Sequence, residues 1–339
     1  MFRRRSRAAS YHSRLRVARQ RNRPLVRRRQ EIDWKIKFSN AVKAGLYPHP
    51  PLCYNGRMDS QEQIVRIGPS RGWYNIPWRE IWSYRELLLL LAKRDISVVY
   101  KQTILGPVWF LLQPVLTSVV FAVIFGRVAK ITTAGLPRMV FYMGGLLMWN
   151  YFKGIMEGAG KSFTNYKPLY SKVYFPRLVA PLSLVLSNLV YLGLNLVIFL
   201  GFYVYFLRHG AHMRPNAWLL LFPLLVLHTA CTALGTGLWV ASLTAKYRDL
   251  KFALPFLTQC WMYATPIIYP ITGVVEPTYR LILFLNPLTM AVESLRYMFT
   301  GVGVVTWDGI VASVLVSLVL LVSGLGVFNR FQRTFVDVI

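Results

Sequence analysis

Apolar stretches of roughly 20 residues recur through this 339-residue chain, and each could cross a bilayer core of about 30 Å as a helix. The apolar residues follow one another without the alternation that barrel strands need, which argues against a β-barrel. Charged residues make up only 16% of the chain, against about 25% in average soluble domains. The sequence therefore predicts an all-α integral membrane protein.

Six membrane spans are predicted, and an even number returns both termini to one side of the membrane. The loops on that side carry nine Lys and Arg, the opposite loops carry six, and the N-terminal region is strongly basic. Because positive charge collects on the cytoplasmic side, both termini are predicted to be cytoplasmic. The spans cover residues 105–128, 139–158, 178–206, 217–244, 252–270 and 309–328.

Residues 1–57 are far more basic than the rest, with 16 Lys and Arg against two acidic residues. A run such as Arg27-Arg28-Arg29 could bind nucleic acid or anionic lipid. The interpretation favoured over these is a disordered cytoplasmic extension. A third hypothesis is that the native chain begins at Met58, where the composition changes abruptly.

The string GIMEGAGKSFT, residues 154–164, resembles the phosphate-binding loop G-x-x-x-x-G-K-[ST]. The pattern needs its first glycine at position 155, which is Ile155, and an apolar span precedes the string instead of a strand. The glycines Gly154, Gly158 and Gly160 fit a small-residue face for close helix packing. No ATP site is predicted on this chain.

Two further helical regions flank the spans. Residues 80–103 form a basic amphipathic stretch suited to the membrane surface or to packing on the spans. Residues 271–307 hold two apolar pieces, interrupted at Asn286-Pro287, that are too short to span and read as re-entrant or interfacial helices. Glu293 and Arg296, three apart on a helix, could pair, as could Glu276 and Arg280.

Intramembrane charge is sparse. Lys153 and Glu157 stand four apart in the second span, and mutual neutralisation is favoured slightly over a substrate role. The three cysteines have no metal-ligand or disulfide spacing, and no metal or cofactor is predicted on this chain.

Several strings resemble the transmembrane permease of ABC exporters for polysaccharides and polyol phosphates, which move lipid-linked O-antigen, capsule or teichoic-acid polymers. The resemblance covers roughly residues 64–339. The strings are RDISVVYKQTILGPVWFLLQP (94–114), SKVYFPRLVAPLS (171–183), KYRDLKFALPFLTQCWMYATPIIYP (246–270), LNPLTMAVESLRYMFTG (285–301) and FQRTFVDVI (331–339).

The resemblance implies a homodimeric permease in a bacterial inner membrane, with ATP and magnesium bound by a separate ATPase subunit. It divides the chain into a cytoplasmic segment, 58–104, and a transmembrane domain, 105–339. A gate helix matches residues 80–101, with Arg94, Asp95, Tyr100, Lys101 and Gln102 as its site residues. A coupling segment that meets the ATPase matches residues 165–177, with Asn165, Lys167, Tyr174, Phe175, Pro176 and Arg177 as its site residues.

A glycan cannot enter hydrocarbon without losing its hydrogen bonds to water, so it needs a hydrated path with aromatic faces. Candidate lining residues are Tyr142, Trp149, Phe152, Trp261, Tyr263 and Tyr269, with ordinary packing as the competing explanation. Two alternatives to polymer export stay open: a permease for a small drug or lipid, and a membrane assembly factor that transports nothing.

Overall fold

The computed structural model describes residues 78–101, 107–170, 175–247, 249–272 and 282–334. Within these ranges every regular element is helical and no strand occurs. The basic residues 1–57, Met58 and the Glu276–Arg280 pair predicted from the sequence lie outside the described residues.

The first half of the described chain contains one long helix flanked by shorter ones. Its elements are α1 (Trp78–Ser83), α2 (Arg85–Lys101), α3 (Pro107–Phe121) with its π-helical continuation Ala122–Val128, α4 (Arg138–Gly160), and the short α5 (Ser162–Asn165) and α6 (Lys167–Tyr170). Pro107 opens α3, where its missing N–H costs no hydrogen bond.

The second half contains three long helices and two shorter ones. Its elements are α7 (Val179–Arg208), a 3₁₀ turn (Ala217–Leu221) that runs into α8 (Phe222–Lys246), α9 (Leu250–Ala264), a helical turn at 282–285, α10 (Pro287–Thr300) and α11 (Trp307–Thr334). Asn286 caps α10 by accepting a hydrogen bond from the Leu288 amide, so the predicted break at Asn286-Pro287 is confirmed.

All six segments predicted to span are helical over most of their length, and three of the helices are both long and apolar enough to cross a membrane. These are Val179–Arg208, Ala217–Lys246 and Trp307–Phe331. The fifth predicted span differs from expectation, because α9 has 15 residues, about 22 Å, and ends at Ala264 rather than near residue 270. Thr265 precedes Pro266 and adopts an extended backbone, as residues before proline usually do.

Helix α4 lies at the centre of the described fold. It is buried along most of its length and packs against α7, α8 and α10. The predicted close helix packing at these glycines is confirmed, but on two faces of α4 and not one: a Cβ on Gly158 would lie 3.1 Å from Leu184 of α7, and one on Gly160 would lie 2.6 Å from Val240 of α8. These glycines let the neighbouring helices approach α4 closely.

The outer faces of α7 and α11 carry large exposed apolar side chains. Val197 of α7 is 68% exposed and Val319 of α11 is 66% exposed. Stripes of exposed valine and leucine on long apolar helices are suited to lipid tails, not to water.

Candidate functional site

Helix α2, the predicted gate helix, packs against the predicted coupling segment in one hydrophobic cluster. Leu91 of α2 is buried with Tyr166, which lies between α5 and α6, and with Phe175, Val179 and Ala180. Leu88 and Leu91 supply the apolar side of α2, and Arg85 and Lys93 are exposed elsewhere on the helix. Asp95, four residues after Leu91, lies on the same side as the cluster.

A polar contact reinforces this junction. The Tyr166 hydroxyl donates a 2.5 Å hydrogen bond to Asp95 of α2. Arg94 donates to the other Asp95 oxygen at 2.7 Å, and its guanidinium lies 4.6 Å from the centre of the Tyr166 ring. Burial, together with the hydrogen bond to Asp95, raises the pKa of Tyr166 to about 12. The hydroxyl therefore stays protonated and able to donate throughout the physiological range.

The end of the coupling segment is packed against its own aromatic residues. Phe175 stacks on Tyr170 with ring centres 5.2 Å apart, and the Arg177 guanidinium lies 5.8 Å from the Tyr170 ring centre. Pro176 lies half-buried between Phe175 and Arg177. Burial raises the pKa of Tyr170 well above its ordinary value.

The remaining gate and coupling residues fall in different places. Asn165 is exposed at the end of α5, which suits a residue available to a partner. Tyr100, Lys101 and Lys167 lie within helices, and Gln102 and Tyr174 lie outside the described residues. The roles of all these residues stay predictions.

The aromatic residues proposed to line a path divide into two groups. Tyr142, Trp149 and Phe152 are at most 3% exposed, and Phe152 bridges to Trp261 with ring centres 5.0 Å apart. Three others lie nearer the surface. Trp261 and Tyr269 are half-buried, and Tyr263 is 49% exposed. Within this chain, therefore, Tyr263 is the most accessible of the six.

Asn286 ties the end of α9 to the start of α10. Its amide oxygen accepts a hydrogen bond from the Trp261 indole at 3.2 Å, and its amide nitrogen donates to the Thr265 hydroxyl at 2.9 Å. The same oxygen caps α10. One side chain thus fixes the angle between the two helices.

The predicted Glu293–Arg296 pair is confirmed, and both side chains are only 3% exposed. Arg296 donates to Glu293 at 2.8 Å and to the carbonyls of Pro266 and Ile267 at 2.7 and 2.9 Å. Its guanidinium lies 3.7 Å from the centre of the Phe141 ring. Glu293 also accepts from the Val304 amide at 3.0 Å. The pair binds α10 to α4 and to the turn after α9.

Lys153 and Glu157 also pair, at 3.9 Å, and Lys161 reaches the other Glu157 oxygen at 3.7 Å. The predicted pairing of Lys153 with Glu157 is therefore confirmed, with Lys161 as an additional partner. Residues 154–160 are the last turns of α4. Because their backbone amides point along a helix that follows other helical residues, they form no phosphate-binding loop.

Three residues important to this arrangement were missed from the sequence, namely Tyr166, Phe141 and Asn286 as a bridge. Only Asn286 carried a readable signal, because asparagine before proline is a common helix start. The other two act through partners more than 70 residues away, which no local pattern encodes.

The chain belongs to the ABC-2 type transporter family, whose pattern matches residues 86–300. It is therefore a membrane subunit of a transporter. The match includes α2, the segment after α4, and α10.

Two curated relatives are similar over almost their whole length. The O-antigen export system permease protein RfbA of Myxococcus xanthus is 29% identical over 262 residues, which cover 76% of this chain and 97% of the relative. A protein of the same name from Klebsiella pneumoniae is 25% identical over 256 residues, covering 75% of this chain and 95% of the relative.

Proposed function

We propose that this chain is the permease subunit of an ABC exporter that moves a lipid-linked polysaccharide across the bacterial inner membrane. The observation that carries the proposal is the similarity to O-antigen export permeases over 97% of the length of one of them. A glycan needs a polar path because its hydroxyls would lose their water in hydrocarbon. The buried polar groups of this chain are compatible with such a path.

ATP hydrolysis would be supplied by a separate ATPase subunit. Support comes from the absence of a phosphate-binding loop in the described part of α4 and from the geometry around Tyr166. A partner docked on Asn165, at the exposed end of α5, would be next to Tyr166 in the chain. Its motion would displace Tyr166, and the hydrogen bond from Tyr166 to Asp95 would pass that displacement to α2. We propose that this contact transmits the ATPase stroke to the gate helix.

The proposed topology has six spans, two re-entrant segments and both termini in the cytoplasm, and the working unit is a homodimer. Helix α10 supports re-entry, because its 14 residues extend about 21 Å, less than a bilayer core. Single cysteines test the topology, with Asn165→Cys and His212→Cys introduced after Cys53, Cys231 and Cys260 are replaced by serine. An impermeant maleimide added to intact cells should label position 212 and spare 165.

Deletion of the gene tests the function. Lipid-linked glycan should accumulate on the cytoplasmic side and disappear from the surface, and plasmid-borne expression of the chain should restore it. A small-molecule permease would instead leave surface glycan unchanged and alter resistance to a drug or the distribution of a lipid. Unchanged glycan in the deletion strain would overturn the proposal.

A further inference from the structure

A cavity of about 300 Å³ lies between α3, α4 and α7, within the part of the chain proposed to cross the membrane. This volume is at the lower end of the range for small-molecule sites. Amide and hydroxyl side chains from all three helices line it, where an ordinary membrane bundle would present leucine and valine. They include Gln113 and Thr117 of α3, Asn150 of α4, and Asn188 and Asn195 of α7, and they lie beside the apolar Leu147 and Leu192.

The two asparagines of α7 share a face, because seven residues make almost two helical turns. The Asn188 amide donates to the Leu184 carbonyl at 2.8 Å, and the Asn195 amide donates to the Tyr191 carbonyl at 2.9 Å. Both bonds stay within α7, so neither amide group joins α7 to another helix in the described structure. The Asn195 Oδ1 atom is buried and accepts no hydrogen bond among the described residues.

This arrangement is unfavourable unless water or a ligand donates to the oxygen. A buried amide oxygen without a donor costs about 1–3 kcal/mol, and polar side chains inside membrane spans tend to mark substrate pathways. Asparagines that hold membrane helices together do so by bonding across the interface. The bonds of Asn188 and Asn195 run back along their own helix, so helix association does not account for them.

The cavity lining carries one positive and one negative side chain, and Lys161 is not part of the lining. Lys153 and Glu157 line one end, and the carboxylate is paired with Lys153 at 3.9 Å and Lys161 at 3.7 Å. The remaining polar lining consists of neutral amides and hydroxyls, which donate and accept hydrogen bonds equally well. A neutral ligand rich in hydroxyls fits such a lining better than an ion or an acyl chain.

We propose that this cavity is a sugar-binding subsite that holds one unit of the exported glycan within a single chain. The proposal rests on the proposed function for the source of the sugar. It places a sugar contact at a second location, apart from the aromatic residues of α4 and α9 that are proposed to line the path. The amides of Asn150, Asn188 and Asn195 would replace water around the sugar hydroxyls. Asn195 Oδ1 would gain a donor when the sugar is bound.

A photo-cross-linking experiment tests occupancy in cells. Gln113→p-benzoylphenylalanine places a reactive group at the cavity, and Val119→p-benzoylphenylalanine is the control, because Val119 is 41% exposed on another face of α3. After irradiation, the purified chain is treated with periodate and a hydrazide dye, which label sugar diols. Position 113 should give labelled adducts, position 119 should not, and adducts at 113 should vanish when glycan synthesis is blocked.

A substitution separates ligand binding from structural support. Asn195→Leu removes the unpaired oxygen, so the chain should unfold at the same or a higher temperature. Glycan export should fall by about fivefold, because the variant loses one hydrogen bond to the sugar. A lower unfolding temperature would mean that Asn195 supports the fold, and it would overturn the subsite.

The outcomes also separate this inference from the proposed function. No adduct at position 113 in cells with normal surface glycan would overturn the subsite and leave the function standing. Adducts at 113 that persist without glycan synthesis would identify a glycolipid or detergent and would also overturn it. If deletion of the gene leaves surface glycan unchanged, both proposals fall.

Discussion

Tyr166 and Asp95 lie 71 residues apart in the chain and are joined by a 2.5 Å hydrogen bond from the phenol to the carboxylate. The bond connects the helix before the first predicted span to the loop after the second. Arg94 holds the other oxygen of the same carboxylate. The proposed coupling mechanism therefore depends on one hydrogen bond, which a single substitution can remove.

Tyr166→Phe should uncouple ATP hydrolysis from export. The substitution keeps the ring that packs beneath Arg94 and removes only the donor to Asp95, a bond to a charged group worth about 1.5–3 kcal/mol. In proteoliposomes that contain the ATPase subunit, ATP turnover should persist while glycan export falls. Tyr170→Phe is the matched control, because that hydroxyl makes a longer, 3.3 Å bond to a backbone carbonyl. Equal export by the two variants would contradict the coupling role.

Alkaline pH should weaken the same junction. Since the pKa of Tyr166 is raised from its ordinary value of 10.0 to about 12 in the folded chain, the folded state retains a proton that the unfolded state loses. The stabilisation from the protonated Tyr166 should therefore be constant below pH 10 and should be lost as pH rises from 10 to 12. Thermal unfolding in detergent measures the slope, which should be shallower in Tyr166→Phe. An identical slope in both proteins would show that another group is responsible.

Breaking the buried ion pair should be among the most damaging single changes. Glu293→Gln leaves the Arg296 charge buried without its counter-ion, at a cost of about 3–5 kcal/mol. Arg296→Lys should also destabilise, because a single ammonium cannot contact Glu293, two carbonyls and the Phe141 face together. The double variant Glu293→Leu/Arg296→Met should recover part of the loss. Urea or thermal unfolding of the purified protein would show whether it does.

Gly235 and Gly193 offer a matched test of helix packing. A Cβ at Gly235 would lie 2.6 Å from the backbone nitrogen of Leu321, which cannot move aside as a side chain could, whereas no described residue lies within 4 Å of one at Gly193. Gly235→Ala should push α8 from α11 and lower the unfolding temperature. Gly193→Ala should be neutral or stabilising by up to about 1 kcal/mol, since alanine is the better helix former. Similar effects at both sites would contradict the close contact.

Tyr263→Ala should test the proposed aromatic path more cleanly than the buried members of the set. Truncating Trp149 or Phe152 would remove core packing at a cost of about 3–5 kcal/mol, so lost export would be ambiguous. Tyr263 is 49% exposed, and its hydroxyl accepts a hydrogen bond from Gln259 of the same helix. Export should fall with little change in unfolding temperature. Normal export would remove Tyr263 from the path.

Hydrophobic length and helix spacing account for what could be predicted from sequence. The helices of the six apolar segments follow from continuous apolar runs, and the pairing of Glu293 with Arg296 follows from their three-residue spacing. The burial of that pair could not be predicted, because it depends on the carbonyls of Pro266 and Ile267, about thirty residues upstream of Arg296. Helix α9 ends six residues before the predicted end of the fifth span, and Thr265-Pro266 carried the signal for that earlier end.

Helix α4 is fastened differently at its two ends, which has a mechanical consequence. Near its start, Phe141 packs on the Arg296 guanidinium, which also donates to two carbonyls and to the Glu293 carboxylate. A shift of α4 at this point would leave a buried charge without its partners. About 29 Å along the helix from Phe141, Gly158 and Gly160 pack closely against α7 and α8. The chain beyond this end contacts α2 through the Tyr166 hydroxyl and a hydrophobic cluster. Because neighbouring helices hold both ends of α4, a push on Tyr166 would move α2 against a fixed helix and would not tilt α4.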